Sequence, residues 1–226
     1  MLAMLANAEQ LKGNKMDMKF ADKHAPRAFH DLVIEKDNIR HRLQQYADGT
    51  RTKHLLIYGP TGTGKSAAAR VIMETRVGRE LAEFTKCFEG SKFIVSDLDL
   101  LLTNWSWQSI SGAKFPVTII NEIDLLSASL REKVKSFMDE MGHMGQIIAT
   151  TNNLHVLSAS MLRRFDKIEL PVLSVDGCIN RAQCILQAEG VEISDDDLRY
   201  QLEGFAGDLD DMASVLEDIY LEHRAA

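Results

Sequence analysis

From Phe20 onward, short apolar runs alternate with stretches whose apolar residues recur every three or four positions. The runs His54–Tyr58, Phe93–Asp97, Val117–Ile120, Gln146–Thr151 and Lys167–Leu170 have the length and apolar character of buried strands. Helical spacing fills the gaps. It predicts a helix over 36–48, with Asp37 as cap and Ile39, Leu43 and Tyr46 near one face. A long helix is expected up to about Thr85, and another over 127–141. This alternation specifies an α/β fold, a five-stranded parallel sheet with helices on both faces. After Pro171 the strands stop, and helices are expected over 176–189, 195–205 (Ser194 as N-cap) and 208–223. The predicted organisation is an N-terminal extension, 1–17, an α/β core, 18–171, and a small three-helix C-terminal lid, 172–226. Within the extension, Leu2, Leu5 and Leu11 fit one face of a short helix that Gly13-Asn14 would end, and Met16 or Met18 is an equal candidate for the start.

The most informative segment lies between the first strand and the helix after it. Residues 59–66 read Gly-Pro-Thr-Gly-Thr-Gly-Lys-Ser, a complete phosphate-binding loop in the strand–turn–helix setting that such loops require. Gly59, Gly62 and Gly64 let the backbone turn its N–H groups inward, while Pro60, Thr61, Thr63 and Ala67 complete the cradle. The following helix adds the positive end of its dipole. Lys65 is expected to reach the β- and γ-phosphates, and Ser66 to coordinate Mg²⁺. The fold class thereby narrows to a P-loop NTPase, with ATP and Mg²⁺ as cofactors.

Charge and composition add boundaries. The chain carries a net charge of −7, with 45% hydrophobic and 26% charged residues. Residues 172–226 hold 3 Lys/Arg against 13 Asp/Glu, whereas residues 1–171 hold 23 against 20. The shift marks a boundary near Pro171 and assigns any contact with DNA to the first part, the acidic part reading as a solvated helical face. No apolar run approaches the ~18 residues that cross a bilayer. The N-terminus lacks a basic leader, and Cys87, Cys178 and Cys184 have no zinc-ligand spacing. A cytoplasmic location without membrane contact is expected.

A phosphate loop needs acidic partners on a neighbouring strand. Ile119-Ile120-Asn121-Glu122-Ile123-Asp124 is placed for this. Glu122 is the candidate base for water, and Asn121 stands where an acid would hold the metal shell, reaching Mg²⁺ only through water. Asn152, ending the fourth strand, is read either as a group that polarises the γ-phosphate or water, or as a turn residue. Arg163 and Arg164 precede the fifth strand, as a solvated edge or as a donor to a neighbour's γ-phosphate. Arg131, Lys133 and Lys135 form a basic stripe that either follows a phosphate backbone or pairs with nearby acids.

Taken in order and spacing, these features resemble the AAA+ ATPase superfamily, and within it clamp-loader ATPase subunits, from about Lys19 to Tyr220. Phe20-Ala21-Asp22-Lys23-His24-Ala25-Pro26-Arg27 resembles the family opening that touches adenine, which implies base contacts at His24 and Pro26. Ser96-Asp97, Lys135–Glu140, Thr150-Thr151-Asn152-Asn153 and Gly207-Asp208 keep the family's order. Arg164 falls on the arginine of its Ser-Arg-Cys motif, which implies a finger acting in trans in a homo- or hetero-oligomeric ring. DNA, or a DNA-bound protein such as a sliding clamp, is the partner this resemblance implies.

The chain also departs from the pattern. His24-Ala25 replaces Tyr-Arg, Glu35 stands near the adenine pocket in place of glycine, Asn121 replaces an Asp, and Asp210 occupies the position of a lid arginine. No segment matching the family's helical collar follows the lid. Besides a working ATPase, two readings stay open: a nucleotide-binding switch with little hydrolysis, and a P-loop kinase of small metabolites. A helicase loader or another phage or mobile-element ATPase on the same core would share these motifs.

Overall fold

The computed structural model describes residues 18–225, so the expected extension, 1–17, lies outside the described residues. Strands β1 (His54–Tyr58), β2 (Phe88–Glu89), β3 (Val117–Asn121), β4 (Gln146–Thr151) and β5 (Phe165–Glu169) form one sheet. Its order is β2-β3-β4-β1-β5, and every neighbouring pair is parallel. The described residues also form ten α-helices. They are α1 (Phe20–Lys23), α2 (Asp37–Ala47), α3 (Lys65–Val77), α4 (Arg79–Glu83) and α5 (Asp97–Ile110), then α6 (Ala128–Met141), α7 (Ala159–Leu162), α8 (Val175–Ala188), α9 (Asp195–Gln201) and α10 (Leu209–Ala225).

The period of two along each strand divides the core. Leu55 and Ile57 of β1 pack with Val117, Ile119, Ile148 and Ile168 against α2 and α3. Leu56, Ile120, Ile147, Ala149 and Phe165 face the other way, against Leu101 and Trp105 of α5 and Val134, Phe137 and Met138 of α6. Both faces are therefore covered, which is why the strands read as continuous apolar runs. Helices α8, α9 and α10 close a third cluster around Cys178, Ile185, Leu198 and Leu216. Phe20 of α1 belongs to that cluster, although it precedes the sheet by more than thirty residues. Among the described residues, no helix is long and apolar enough to cross a membrane.

Several expected elements differ. The second strand is Phe88–Glu89 rather than Phe93–Asp97, paired through Phe88–Ile120 and Glu89–Asn121. The Asp97 carboxylate accepts the Ile94 N–H at 2.9 Å and the Lys86 ammonium at 2.9 Å, folding 94–97 into the turn that starts α5. Of the apolar residues in the expected run only Phe93 is buried; Ile94 and Val95 are exposed. The long helix after the glycine loop breaks at Gly78, whose φ of +88° a right-handed helix does not admit. The fifth strand starts two residues earlier than expected, because Phe165 is a core residue.

His54, which opens β1, is buried between β4 and the end of α6. Its Nδ1 accepts the Ile147 N–H at 3.0 Å, and its ring also bonds to the backbone of Met138. Burial drives its pKa down from 6.5 to about 4. A depressed folded-state value means that the unfolded chain binds the extra proton between those limits, so stability is full above pH ~6.5 and falls as pH drops towards ~4. The gap corresponds to about 3 kcal/mol. Urea denaturation at pH 7.5 and at pH 5 should show a loss of about 2 kcal/mol in the wild type and a much smaller one in His54→Gln, measured against that variant's own stability at pH 7.5.

Candidate functional site

The loop between β1 and α3 wraps on itself. Gly62 and Gly64 adopt φ of +75° and +80°, and a Cβ on Gly62 would collide with the Asp208 carboxylate. The chain can make this turn only with glycine there. The Pro60 carbonyl accepts the Thr63 hydroxyl at 3.0 Å and the Lys65 ammonium at 2.5 Å. Lys65 is buried. Burial lowers its pKa, while the charges of Asp124, Glu122 and Asp208 pull it back up. A single cation thus sits among three carboxylates. Of these, Asp124 and Asp208 carried no assigned role in the sequence reading, and only the fold brings them near Lys65.

Facing the loop is the end of β3. Glu122 has φ of +51° and is the sole non-glycine residue with positive φ among those described. A left-handed glutamate costs about 1–2 kcal/mol and is kept only where surrounding contacts impose it. Here the buried Thr150 hydroxyl on β4 accepts the Glu122 N–H at 3.0 Å and lies 3.3 Å from the Asn121 Oδ1, to which it donates. The Asn121 amide donates in turn to Glu89 at 3.0 Å. Asn121 thus ties three strand ends together, and it does not line the phosphate-side cavity. That cavity, of about 280 Å³, is lined by Gly62, Lys65, Ser66, Glu122, Thr150 and Asn152, together with Thr61, Gly64, Ala67 and Asp210. Asn153, not Asn152, braces the turn after β4, accepting the His155 N–H at 3.1 Å and donating its own N–H to Thr151 at 3.0 Å. Asn152 is left facing the cavity. Among the described residues no group of three His, Cys, Asp or Glu could hold a metal unaided. The donor set instead suits a cation shared with a polyphosphate, with Ser66 beside the loop.

A second cavity of about 270 Å³ adjoins the first through Gly64, Ala67 and Asp210. Its lining is mainly apolar, with Phe20, Pro26, Val33, Ile34, Leu170 and Ile185 among the walls, and His24 and Arg181 at polar points. Long-range ties shape it. His24 Nε2 lies 2.6 Å from Glu189, Arg181 donates to Asp31 at 2.8 Å and to the His24 carbonyl at 2.7 Å, and Glu35 accepts from Ser174 at the start of α8. These partners are far apart in sequence, so no local pattern announces them. An apolar slot next to a glycine loop and its lysine matches a base and its phosphates. The expected contacts His24 and Pro26 line this second, apolar cavity, and Lys65, Ser66, Glu122 and Asn152 line the first.

Two other groups lie elsewhere. Arg164 lines neither cavity; it sits at the surface link between α7 and β5, bonded to Asp139. In the basic stripe, Arg131 donates to the carbonyls of Asp124 and Leu126, and Lys135 pairs with Glu132. That leaves Lys133 of α6 as the member without such a bond in the structure.

Residues 55–171 match the sequence profile of the ATPase family associated with various cellular activities (AAA). Among curated proteins, the chain is 26% identical over 198 residues to Replication factor C small subunit 2 of Pyrobaculum islandicum, covering 87% of this chain and 62% of that protein. It is 21% identical over 219 residues to human Replication factor C subunit 5, covering 94% and 64%. The chain thus spans about three fifths of the length of the curated relatives it matches. Among solved structures, it is similar to the RuvB Holliday junction branch migration motor of Thermotoga maritima. The TM-score is 0.61 at 19% identity, covering 78% of this chain and 57% of that one. That likeness concerns the fold.

Thr150 is the residue on which the Glu122 geometry rests. Thr150→Val keeps the shape but strands the Glu122 N–H, and should cost about 1–3 kcal/mol in chemical denaturation. Thr150→Ser, which retains the hydroxyl, should cost clearly less; a loss in Thr150→Ser with none in Thr150→Val would mean that the methyl group, not the hydrogen bond, is what matters.

Proposed function

The chain belongs to the ATPase family associated with various cellular activities (AAA), and from that membership we propose that it hydrolyses ATP, with Mg²⁺, as a clamp-loader-like subunit of an oligomeric ring. The observation that carries the reading is the pairing of Lys65 and Ser66 with a conformationally strained Glu122 around one cavity, beside an apolar slot of nucleoside size. In this reading residues 18–171 form the nucleotide-binding core and 172–226 a lid whose helix α10 meets the phosphate loop. The Leu209 N–H donates to the Gly62 carbonyl at 2.9 Å, which supports that coupling.

The residues divide the work. Backbone N–H groups of 59–66 cradle the phosphates, and the base lies between Pro26, His24 and the apolar wall. Lys65 leaves the Pro60 carbonyl for the β- and γ-phosphates, where its charge offsets the negative charge that develops there. Ser66 would hold Mg²⁺, and the ion when bound would neutralise phosphate charge; Asn121, engaged by Thr150 and Glu89 outside the cavity, is not placed for the water-mediated contact expected of it. Glu122 orients water and takes its proton, and Asn152 polarises the water or the γ-phosphate. Arg164, absent from its own chain's cavities, acts on the site of a neighbour. DNA or a sliding clamp is the partner that the resemblance to replication factor C subunits supports. The engaged Arg131 and Lys135 make the α6 stripe a weak DNA contact.

Asp210 is the observation that favours a second reading. A carboxylate lines the phosphate cavity at the position expected of a lid cation, and Asn121 brings no charge, which together favour a switch that holds ATP and turns it over slowly.

Steady-state hydrolysis against protein concentration, with and without primed DNA, tests both readings. We expect specific activity to rise with concentration, to vanish in Lys65→Ala, and to fall by a factor of about 10³ in Arg164→Ala. Mixing the two variants should restore part of it, because each supplies what the other lacks. Tight ATP binding with no turnover in any of these conditions would leave only the switch.

A further inference from the structure

Arg163 and Arg164 are neighbours with different fates. Arg163 is held by a single 3.4 Å bond from Nε to the Ala159 carbonyl. Arg164 is held from three directions. Its Nε donates to one oxygen of Asp139 at 2.8 Å, its Nη2 donates to the other at 2.5 Å, and its Nη1 donates to the Ser160 carbonyl. The backbone beneath is equally fixed. The Arg164 N–H closes the last turn of α7 on the Met161 carbonyl at 3.0 Å, and Phe165, next in the chain, is a buried core residue of β5.

We propose that Asp139 is a positioning residue for Arg164, holding its guanidinium with the free prongs turned to a neighbouring subunit's γ-phosphate. The inference rests on the trans-acting role assigned to Arg164 above. A guanidinium carries five N–H donors, one on Nε and two on each terminal nitrogen. Three are used here, so one remains on Nη1 and one on Nη2, the pair that grips a phosphate in two-pronged fashion. Asp139 takes the other edge, so the group that fixes the arginine does not compete for its reactive prongs.

An ion pair this exposed, with side chains 28% and 49% accessible, contributes little to stability. Its consequence is orientation. Free arginine side chains must be ordered at the moment of use, and a misplacement of about 1 Å costs roughly a hundredfold in rate. Asp139 also makes Arg164 a firmer base and is itself made a stronger acid, so both stay charged. The carboxylate lies near the end of α6, and the other end of that helix is tied to the Glu122 loop by Arg131. One helix therefore carries, at its two ends, the loop of the chain's own site and the anchor of the arginine it offers.

The test is ATP hydrolysis by full-length Asp139→Ala alone and in mixtures. We expect kcat to fall roughly tenfold or more with KM unchanged, and Asp139→Glu to recover part of the loss. Lys65→Ala subunits, whose Arg164 is correctly held, should restore activity to Asp139→Ala, whereas Arg164→Ala subunits should not. Wild-type turnover by Asp139→Ala beside an inactive Arg164→Ala would overturn the positioning role and leave the finger standing. Wild-type turnover by Arg164→Ala would remove the finger, and the positioning role with it. Failure of Lys65→Ala to rescue would show that Asp139 serves the fold instead.

Discussion

A parallel sheet covered on both faces can expose functional groups only where its strands end, and every carboxyl end of such a sheet faces the same edge. The whole site depends on that constraint. The glycine loop follows β1, Glu122 follows β3 and Asn152 follows β4, so three segments distant in sequence meet without any dedicated scaffold. The strand order matters as much as the direction. Because β4 lies between β1 and β3, the Thr150 hydroxyl can reach across to the Glu122 N–H, and Asn152 stands between loop and base.

The same edge concentrates strain and charge. A left-handed glutamate and a buried lysine line one cavity, each tolerated because a neighbour satisfies it. Thr150 and Asn121 compensate Glu122; the Pro60 carbonyl compensates Lys65. Asp208 and Asp210 bring negative charge from α10 to a site shaped for anions, so entry of a polyphosphate must work against them. The ties through His24, Arg181 and Glu35 join the segment after α1 to α8 and hold the apolar cavity against that same C-terminal group.

Element type was legible wherever burial was complete. β1, β3 and β4 appear as continuous apolar runs, and Ser194 caps α9 as its position suggests, accepting the Asp197 N–H at 3.1 Å. The expected strand at 93–97 misled because Phe93, Ile94 and Val95 look like strand residues, yet a side-chain bond from Asp97 and the pairing partner of Phe88 decide the matter. Two residues of Phe88–Glu89 are too few to show a period. In the site, the loop residues and Glu122 were visible from their own motifs. Thr150, Asp124 and Asp208 were not, since a threonine or an aspartate has no local signature for a contact made across a sheet.

The chain by itself determined the phosphate loop, the alternation of strands and helices, and the acidic swing after Pro171, because each is written in consecutive residues. Only the tertiary structure decided which strand lies between loop and base, where Asp210 points, and that Arg164 rather than Arg163 is the arginine held rigid. Those outcomes depend on partners 25 residues or more apart, as Arg164 and Asp139 are. Such partners are chosen by packing, and packing has no one-dimensional record.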